Sequence, residues 1–320
     1  MSSKIRIGVV VPVFRCSEQI VDVLSRMGKE VHSIYVVDDA CPENSGKLVS
    51  ASCSDSRIKV IYHLKNRGVG GAVKTGYRSA VADGCDVIVK VDGDGQMPPE
   101  MIPSLVEPIE NGRADYSKGN RFHYPGALKG MPLTRVIGNS ILSLVAKFST
   151  GYYDIFDPTN GFTAVSRHAL EKMKIDSAAE RFYFETSMLF ELNAVDAVVE
   201  DVPMESCYGE ESSNLTISRS IFTFGWYNFV YSLRRVWYRY FVRGFGPASV
   251  FLLVGIFLMT VGLALGTYFW VQSSLMNEPT TSGSVMLAAL PMIMGYQSLM
   301  SFIQYDIGAV PRKAISKFLA

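Results

Sequence analysis

The stretch VIVKVDGDGQMPPE, residues 87–100, decides the fold. Val87, Ile88, Val89 and Val91 make a short apolar run, the pattern of a strand buried on both faces. The run ends in Asp92 and Asp94, with Gly93 between them and Gly95 after. Residues two apart on an extended strand face the same side, so the two carboxylates converge. Like charges held that close require a cation beside them. In open α/β sheets the ligand crevice lies beyond the carboxyl ends of the strands, where this pair falls. A Mg²⁺-type ion held by one or two carboxylates completes its shell with water and substrate phosphates, so the pair points to a phosphate-bearing substrate. An EF-hand loop is excluded, because Met97 and Pro103 stand where it needs Gly and Glu. A solvated Asp-Gly turn and a helix-capping aspartate stay open on these residues alone.

Outward from this run, short β-branched segments alternate with helix-length ones from Ile5 to about Asp94. The helical segments are Ser17–Met27, Ser45–Ser54 and Val69–Asp83. Such repetition implies right-handed crossovers and a mostly parallel sheet. Further strands are expected near Ala114–Gly119, Phe162–Val165 and Ala197–Val202, with helices over Leu133–Ser149 and Phe182–Asn193. The second strand also ends in two acids, Asp38 and Asp39, at the same sheet edge. Between them and Asp92 lies NRGVGGAVKTGYRSA, residues 66–80. Its glycines permit close backbone approach to a ligand, and Arg67 and Lys74 suit phosphate. It is no dinucleotide fingerprint, since Val73 takes the third glycine position. Packing at a helix start is the competing role for Gly70 and Gly71. The five cysteines are odd in number and scattered without metal or redox spacing, as reduced core thiols would be.

The 320-residue chain carries a net charge of +1, unevenly spread: eight Lys/Arg and two Asp/Glu from Arg219 onward leave −5 on the first 218 residues. A slightly acidic front half excludes a nucleic-acid binder, which needs a basic face on its folded domain. Residues 219–243 hold ten aromatics and five arginines with no acid, a composition for the headgroup layer of a bilayer. Residues 244–277 and 280–305 are free of charge; the first is long enough to cross a hydrocarbon core of ~30 Å, and the second, weakened by Pro291, Gln297 and Gln304, reads as a second span or as a surface helix. Arginines precede the first run, Arg312, Lys313 and Lys317 follow the second, and the connecting loop has no basic residue. The positive-inside rule then puts both ends in the cytoplasm. The expected organisation is a head over 1–218, an interfacial helix over 219–243, a transmembrane hairpin over 244–311 with spans at about 247–271 and 283–305, and a cytosolic tail over 312–320. Small residues in the first span (Gly255, Gly262, Ala264, Gly266) would permit a homo-oligomer through close helix contacts.

Several ordered motifs together resemble the family-2 glycosyltransferases with the GT-A fold. They are Pro12 on the first strand, VVDDA (36–40), NRGVGGA (66–72), VDGDGQMPPE (91–100), KGNRF (118–122), DPTNGF (157–162), FYFET (182–186) and VPMESCYGEESSNL (202–215). With its tail the chain is similar to the polyprenyl-phosphate branch, typified by dolichol-phosphate mannose synthase. The resemblance implies an inverting, metal-dependent transferase in the inner membrane, its Rossmann-like head in the cytoplasm. By resemblance, Asp38 and Asp39 contact the nucleotide. Asp92, Asp94 and Gln96 hold Mg²⁺ or Mn²⁺ on the donor diphosphate, and Pro12, Arg67, Gly70 and Lys74 belong to the donor site. Arg121 and Arg135 meet acceptor phosphate, Asp157 lies beneath the sugar, and Glu185 sits where related enzymes often place an acid.

Two departures bear on the acceptor and donor. PVFRC opens the chain where relatives read P-x-Y-N-E, and YGEESSNL stands where the lipid-phosphate enzymes read R-x-x-G-x-S-K-L, with Tyr208, Glu211 and Asn214 replacing Arg, Gly and Lys. A polyprenyl phosphate, its second pKa at about 6, is already an anionic nucleophile. A hydroxyl on a polyprenyl-diphosphate-linked saccharide needs a base, for which Glu185 is the candidate; a structural role for Glu185 stays equally open. Three functions follow: transfer of a sugar from a nucleotide donor to polyprenyl phosphate, transfer to such a hydroxyl, or an idle sugar-nucleotide-binding scaffold. The intact Asp92/Asp94/Gln96 set speaks against the last.

Overall fold

The computed structural model describes residues 5–123, 133–181, 183–204 and 217–318, with side-chain detail outside 133–137, 139, 217–223 and 317–318. The chain divides into two compact units, residues 1–232 with 311–320, and residues 233–310.

The first unit is built on a seven-stranded sheet in the order β3-β2-β1-β4-β6-β5-β7. The strands are β1 (Ile7–Val13), β2 (Val31–Asp38), β3 (Ile58–Tyr62), β4 (Val87–Lys90), β5 (Tyr116–Asn120), β6 (Thr163–Ser166) and β7 (Val199–Pro203). β1 pairs in parallel with β2 and β4, while β6 runs antiparallel to both β4 and β5. One reversed strand in an otherwise parallel sheet gives a mixed α/β architecture. Val9, Val11, Ile34, Val36, Ile88 and Val89 are fully buried, as continuous apolar strands require when helices cover both faces. Register places Val13 opposite Asp38, and Val10 opposite Lys90. The carboxyl ends of β1, β2 and β4 therefore share one edge.

The helices that serve this edge are α1 (Ile20–Ser25), α2 (Ser45–Ser52), α3 (Val69–Ala82) and α4 (Ile102–Glu110). α1 is shorter than the expected Ser17–Met27, since residues 17–19 are spent in a turn and Gly28 follows closely. Beyond the sheet centre come α5 (Leu133–Thr150), α6 (Arg167–Lys172) and α7 (Phe184–Ala194). α8 (Ile217–Trp237) leads out of the head. Its inner face is aromatic: Tyr183 lies 5.3 Å from Tyr227 and 5.6 Å from Tyr231, and Ser149 of α5 donates to Asn228 at 2.6 Å. Its outer face exposes Trp226, Phe229 and Val230, and α5 exposes Ile141, Leu144, Val145 and Phe148 at helical spacing. The tail does not hang free of the head. The backbone N–H groups of Ile315 and Ser316 donate to the Asp115 carboxylate at 2.9 and 3.2 Å.

The second unit holds two long helices, α9 (Pro247–Met276) and α10 (Ser282–Gly308). Both are long and apolar enough to cross a membrane by length and composition, and each runs a few residues beyond the expected span. Gly255 and Gly295 bring them together, for a Cβ at either would lie 2.7–2.8 Å from atoms of Leu299 or Met259. Arg235 and Asp306 form a buried two-pronged ion pair at 2.8 and 2.7 Å, with Tyr240 donating to the same carboxylate.

Candidate active site

The ends of β1, β2 and β4 open on a cleft of about 540 Å³. Pro12, Asp39, Gly68, Asp92 and Asp94 all line it. The two members of D-x-D thus converge on one space. Asp94 accepts from the backbone N–H of Gln96 at 3.0 Å, a turn made possible by Gly95 at φ 78°. The Gln96 side chain is exposed beside it.

The two acids of VVDDA part company. Asp38 is buried and accepts from the N–H groups of Cys41 at 2.7 Å and Gly46 at 2.8 Å, fastening the start of α2. Asp39 turns to the cleft. It accepts from the N–H of Gly68 at 2.7 Å and of Arg67 at 2.9 Å, and meets His63 Nδ1 at 2.7 Å. Gly68 stands at φ +84°, where a side chain would be strained and would run into Glu180 and Arg181. Gly70 is a packing glycine: a Cβ there would strike the Ala179 carbonyl and Phe184. The Arg67 guanidinium pairs with Glu180 at 2.8 Å. Lys74 is buried and donates to the carbonyls of Asp176 and Ala178, and its burial pulls the ammonium below the usual lysine range.

Beneath Asp92 stands a residue the sequence reading passed over. Lys90 is 1% exposed, and its Nζ lies 2.7 Å from Asp92 Oδ1 and 3.2 Å from Glu185 Oε1. Burial alone would lower the ammonium, but Asp92 first and Glu185 next outweigh it and hold it above the usual lysine range. Lys90 and Asp92 form a close ion pair, with Asp92 Oδ1 buried against the ammonium. On the other side, a Cβ at Gly161 would lie 3.0 Å from Asp92 Oδ2 and would strike Lys90. A lysine in the middle of an apolar strand was the available signal, since such a residue is fully buried only with partners.

Arg121 and Asp157 come together. The guanidinium donates at 2.8 and 3.1 Å to a carboxylate that is 2% exposed, while Lys118 donates to the Asp157 backbone carbonyl. Arg135 lies on α5 with its side chain outside the described residues, and Tyr208, Glu211 and Asn214 lie outside them entirely.

A family model, glycosyl transferase family 2, matches residues 8–174. The chain belongs to that family. Among curated relatives of this family-2 glycosyltransferase, the UDP-N-acetylglucosamine–dolichyl-phosphate N-acetylglucosaminyltransferase of Methanococcus voltae is 29% identical over 234 residues, 68% of this chain and 93% of that protein. The undecaprenyl-phosphate mannosyltransferase of Micrococcus luteus is 27% identical over 203 residues, covering 62% and 82% respectively. The resemblance to the polyprenyl-phosphate branch therefore holds. Among solved structures, glucosyl-3-phosphoglycerate synthase from Mycobacterium tuberculosis, in complex with Mn²⁺, UDP-glucose and phosphoglyceric acid, superposes with a TM-score of 0.53 at 19% identity over 72% of this chain and 79% of that one. At that identity the likeness speaks for the GT-A fold.

Proposed function

We propose that this glycosyltransferase moves a sugar, with inversion, from a nucleotide-sugar donor to polyprenyl phosphate at the cytoplasmic leaflet of the inner membrane. The observation that carries the choice of acceptor is the pairing of Glu185 with Lys90 at 3.2 Å. A hydroxyl acceptor needs a base within reach of the proton it loses. Glu185 serves as counter-ion to a buried ammonium. An acceptor that arrives as an anion needs no such base. The named relatives transfer sugars to dolichyl or undecaprenyl phosphate, which agrees.

The residues present fit a hard divalent cation. Asp92 and Asp94 both line one cleft. Two carboxylates plus phosphate oxygens and water are the usual donor set for Mg²⁺ or Mn²⁺. When bound, such an ion offsets the charge that develops on the departing nucleoside diphosphate. Asp39, held rigid by backbone N–H groups and His63, orients the nucleoside, and Pro12 and Gly68 shape the wall beside it. Arg121, aligned by Asp157, receives the acceptor phosphate, and Arg135 is assigned with it. Asp38, Lys74 and Gly70 keep supporting parts, fastening the loops that carry the donor residues.

Chain connectivity supports this seat on the membrane. The chain leaves the head unit at Ser232 and rejoins it at Pro311, with two span-length helices between. An even number of crossings keeps both ends on the side of the head, and the basic flanks put that side in the cytoplasm. The exposed apolar residues of α5 and α8 suit the headgroup boundary. The test is to incubate the detergent-solubilised protein with labelled nucleotide sugars and polyprenyl phosphate. A product cleaved by mild acid is a sugar phosphodiester and supports the reading. A product that survives mild acid, formed only on a lipid-linked saccharide, overturns it.

A further inference from the structure

Lys90 is the one charge in the run 87–91, and it stands directly against a carboxylate assigned to the donor's metal ion. Its ammonium is shared between Asp92 and Glu185, on β4's extension and on α7, while Tyr77 of α3 is the further titratable group near it. Asp92, Asp94 and Glu185 carry a formal −3, and Lys90, paired with Asp92 and Glu185, reduces it to −2. Among the described residues no group of three His, Cys, Asp or Glu side chains stands together to hold a metal. A bare divalent ion therefore meets two carboxylates, of which Asp92 already faces a cation. A diphosphate brings the missing anionic oxygens with it.

From this arrangement we infer that Lys90 makes divalent-ion binding conditional on the donor: the ion and the nucleotide's diphosphate are taken up together, because the buried ammonium opposes the ion alone. Glu185 is a positioning residue in this scheme. By drawing part of the lysine's charge away from Asp92, it keeps that carboxylate available to the ion. The inference rests on the reading that Asp92 and Asp94 hold the donor's metal, and it adds a dependence of that ion on the donor.

The experiment reads Mn²⁺ binding directly, by the electron paramagnetic resonance of free Mn²⁺, on the full chain in detergent with and without UDP or GDP. Protein-free controls correct for Mn²⁺ held by the nucleotide itself. Wild type should bind Mn²⁺ at least tenfold more tightly with one of the nucleotides than without. Lys90→Met should tighten nucleotide-free Mn²⁺ binding at least tenfold while sugar transfer falls. A variant that merely damaged the fold would lose both. Glu185→Gln should move the other way, weakening nucleotide-free Mn²⁺ binding. Should Lys90→Met show no cooperative melting transition, Glu185→Gln decides: weaker binding supports the inference, and unchanged or tighter binding overturns it. A folded Lys90→Met with wild-type Mn²⁺ affinity, or wild type binding Mn²⁺ equally well without nucleotide, overturns the role of Lys90 and leaves the metal assignment standing. Nucleotide-dependent Mn²⁺ binding that survives Asp94→Ala overturns the metal assignment, and the inference with it.

Discussion

Replacing Glu185 by Gln separates a base from a counter-ion. The pair it breaks is well defined: Lys90 Nζ is 3.2 Å from Glu185 Oε1, and the two side chains are 1% and 13% exposed. At an effective dielectric constant of about 20, unit charges at that distance attract by roughly 5 kcal/mol before desolvation is counted. Three things reduce the net loss. Lys90 keeps Asp92 at 2.7 Å, the Gln carbonyl can still accept from the ammonium, and a neutral amide is cheaper to bury than a carboxylate. A net destabilisation of about 2 kcal/mol is expected, in the range of a hydrogen bond to a charged group. Equilibrium denaturation of the detergent-solubilised chain measures it. Transfer to polyprenyl phosphate should fall less than about tenfold, because no proton passes through this carboxylate. Removal of a true general base costs about 10²–10⁴-fold. A loss of that size with stability unchanged would refute the counter-ion role.

Other perturbations have defined outcomes. Arg121→Ala strips the two-pronged partner from Asp157, whose carboxylate is 2% exposed; about 2–4 kcal/mol should be lost together with affinity for the lipid phosphate, read as a raised KM. Asp306→Asn unbalances the buried fork with Arg235 and should cost about 3–5 kcal/mol, while the double variant Asp306→Leu/Arg235→Met should recover part of it, measured by thermal melting in detergent. Asp201 gives a pH test. Burial raises its carboxyl pKa, Oδ2 accepts from both Phe156 N–H and Asn120, and Oδ1 accepts nothing among the described residues. A raised folded-state value means its contribution to stability is present below the unfolded carboxyl pKa of about 3.9 and is lost as pH rises through the folded value. Asp201→Asn keeps both accepted bonds, so its stability relative to wild type should improve between pH 4 and pH 7; a difference independent of pH would refute the assignment.

Much of this molecule is legible in its sequence, and the limits have physical causes. β1, β2 and β4 are readable because continuous β-branched runs have few alternatives, and their carboxyl ends locate the cleft without coordinates. The long helices are readable because a charge-free run of that length has few uses. What escaped depends on contacts distant in the chain. Nothing periodic in residues 312–320 announces that Ile315 and Ser316 will bind Asp115. Lys74 looks like a phosphate ligand in a glycine-rich loop, but helix α3 turns it inward to the carbonyls of 176 and 178. Glu185 is an acid of ambiguous purpose until α7 brings it to Lys90.

The period of the β-strand explains why two acid pairs at one sheet edge differ. Neighbouring residues on a strand face opposite sides, so Asp38 and Asp39 must separate: one carboxylate caps the turn into α2, and the other reaches the cleft. Asp92 follows the end of β4 and Asp94 lies in the turn after it, and both line the cleft. Lys90, the last residue of β4, meets Asp92 at 2.7 Å. The end of β4 and the turn that follows it therefore bring a cation and two anions to one place. Two carboxylates alone would repel each other and attract any divalent ion in solution. The Lys90 ammonium, 2.7 Å from Asp92, offsets part of that repulsion before any donor arrives.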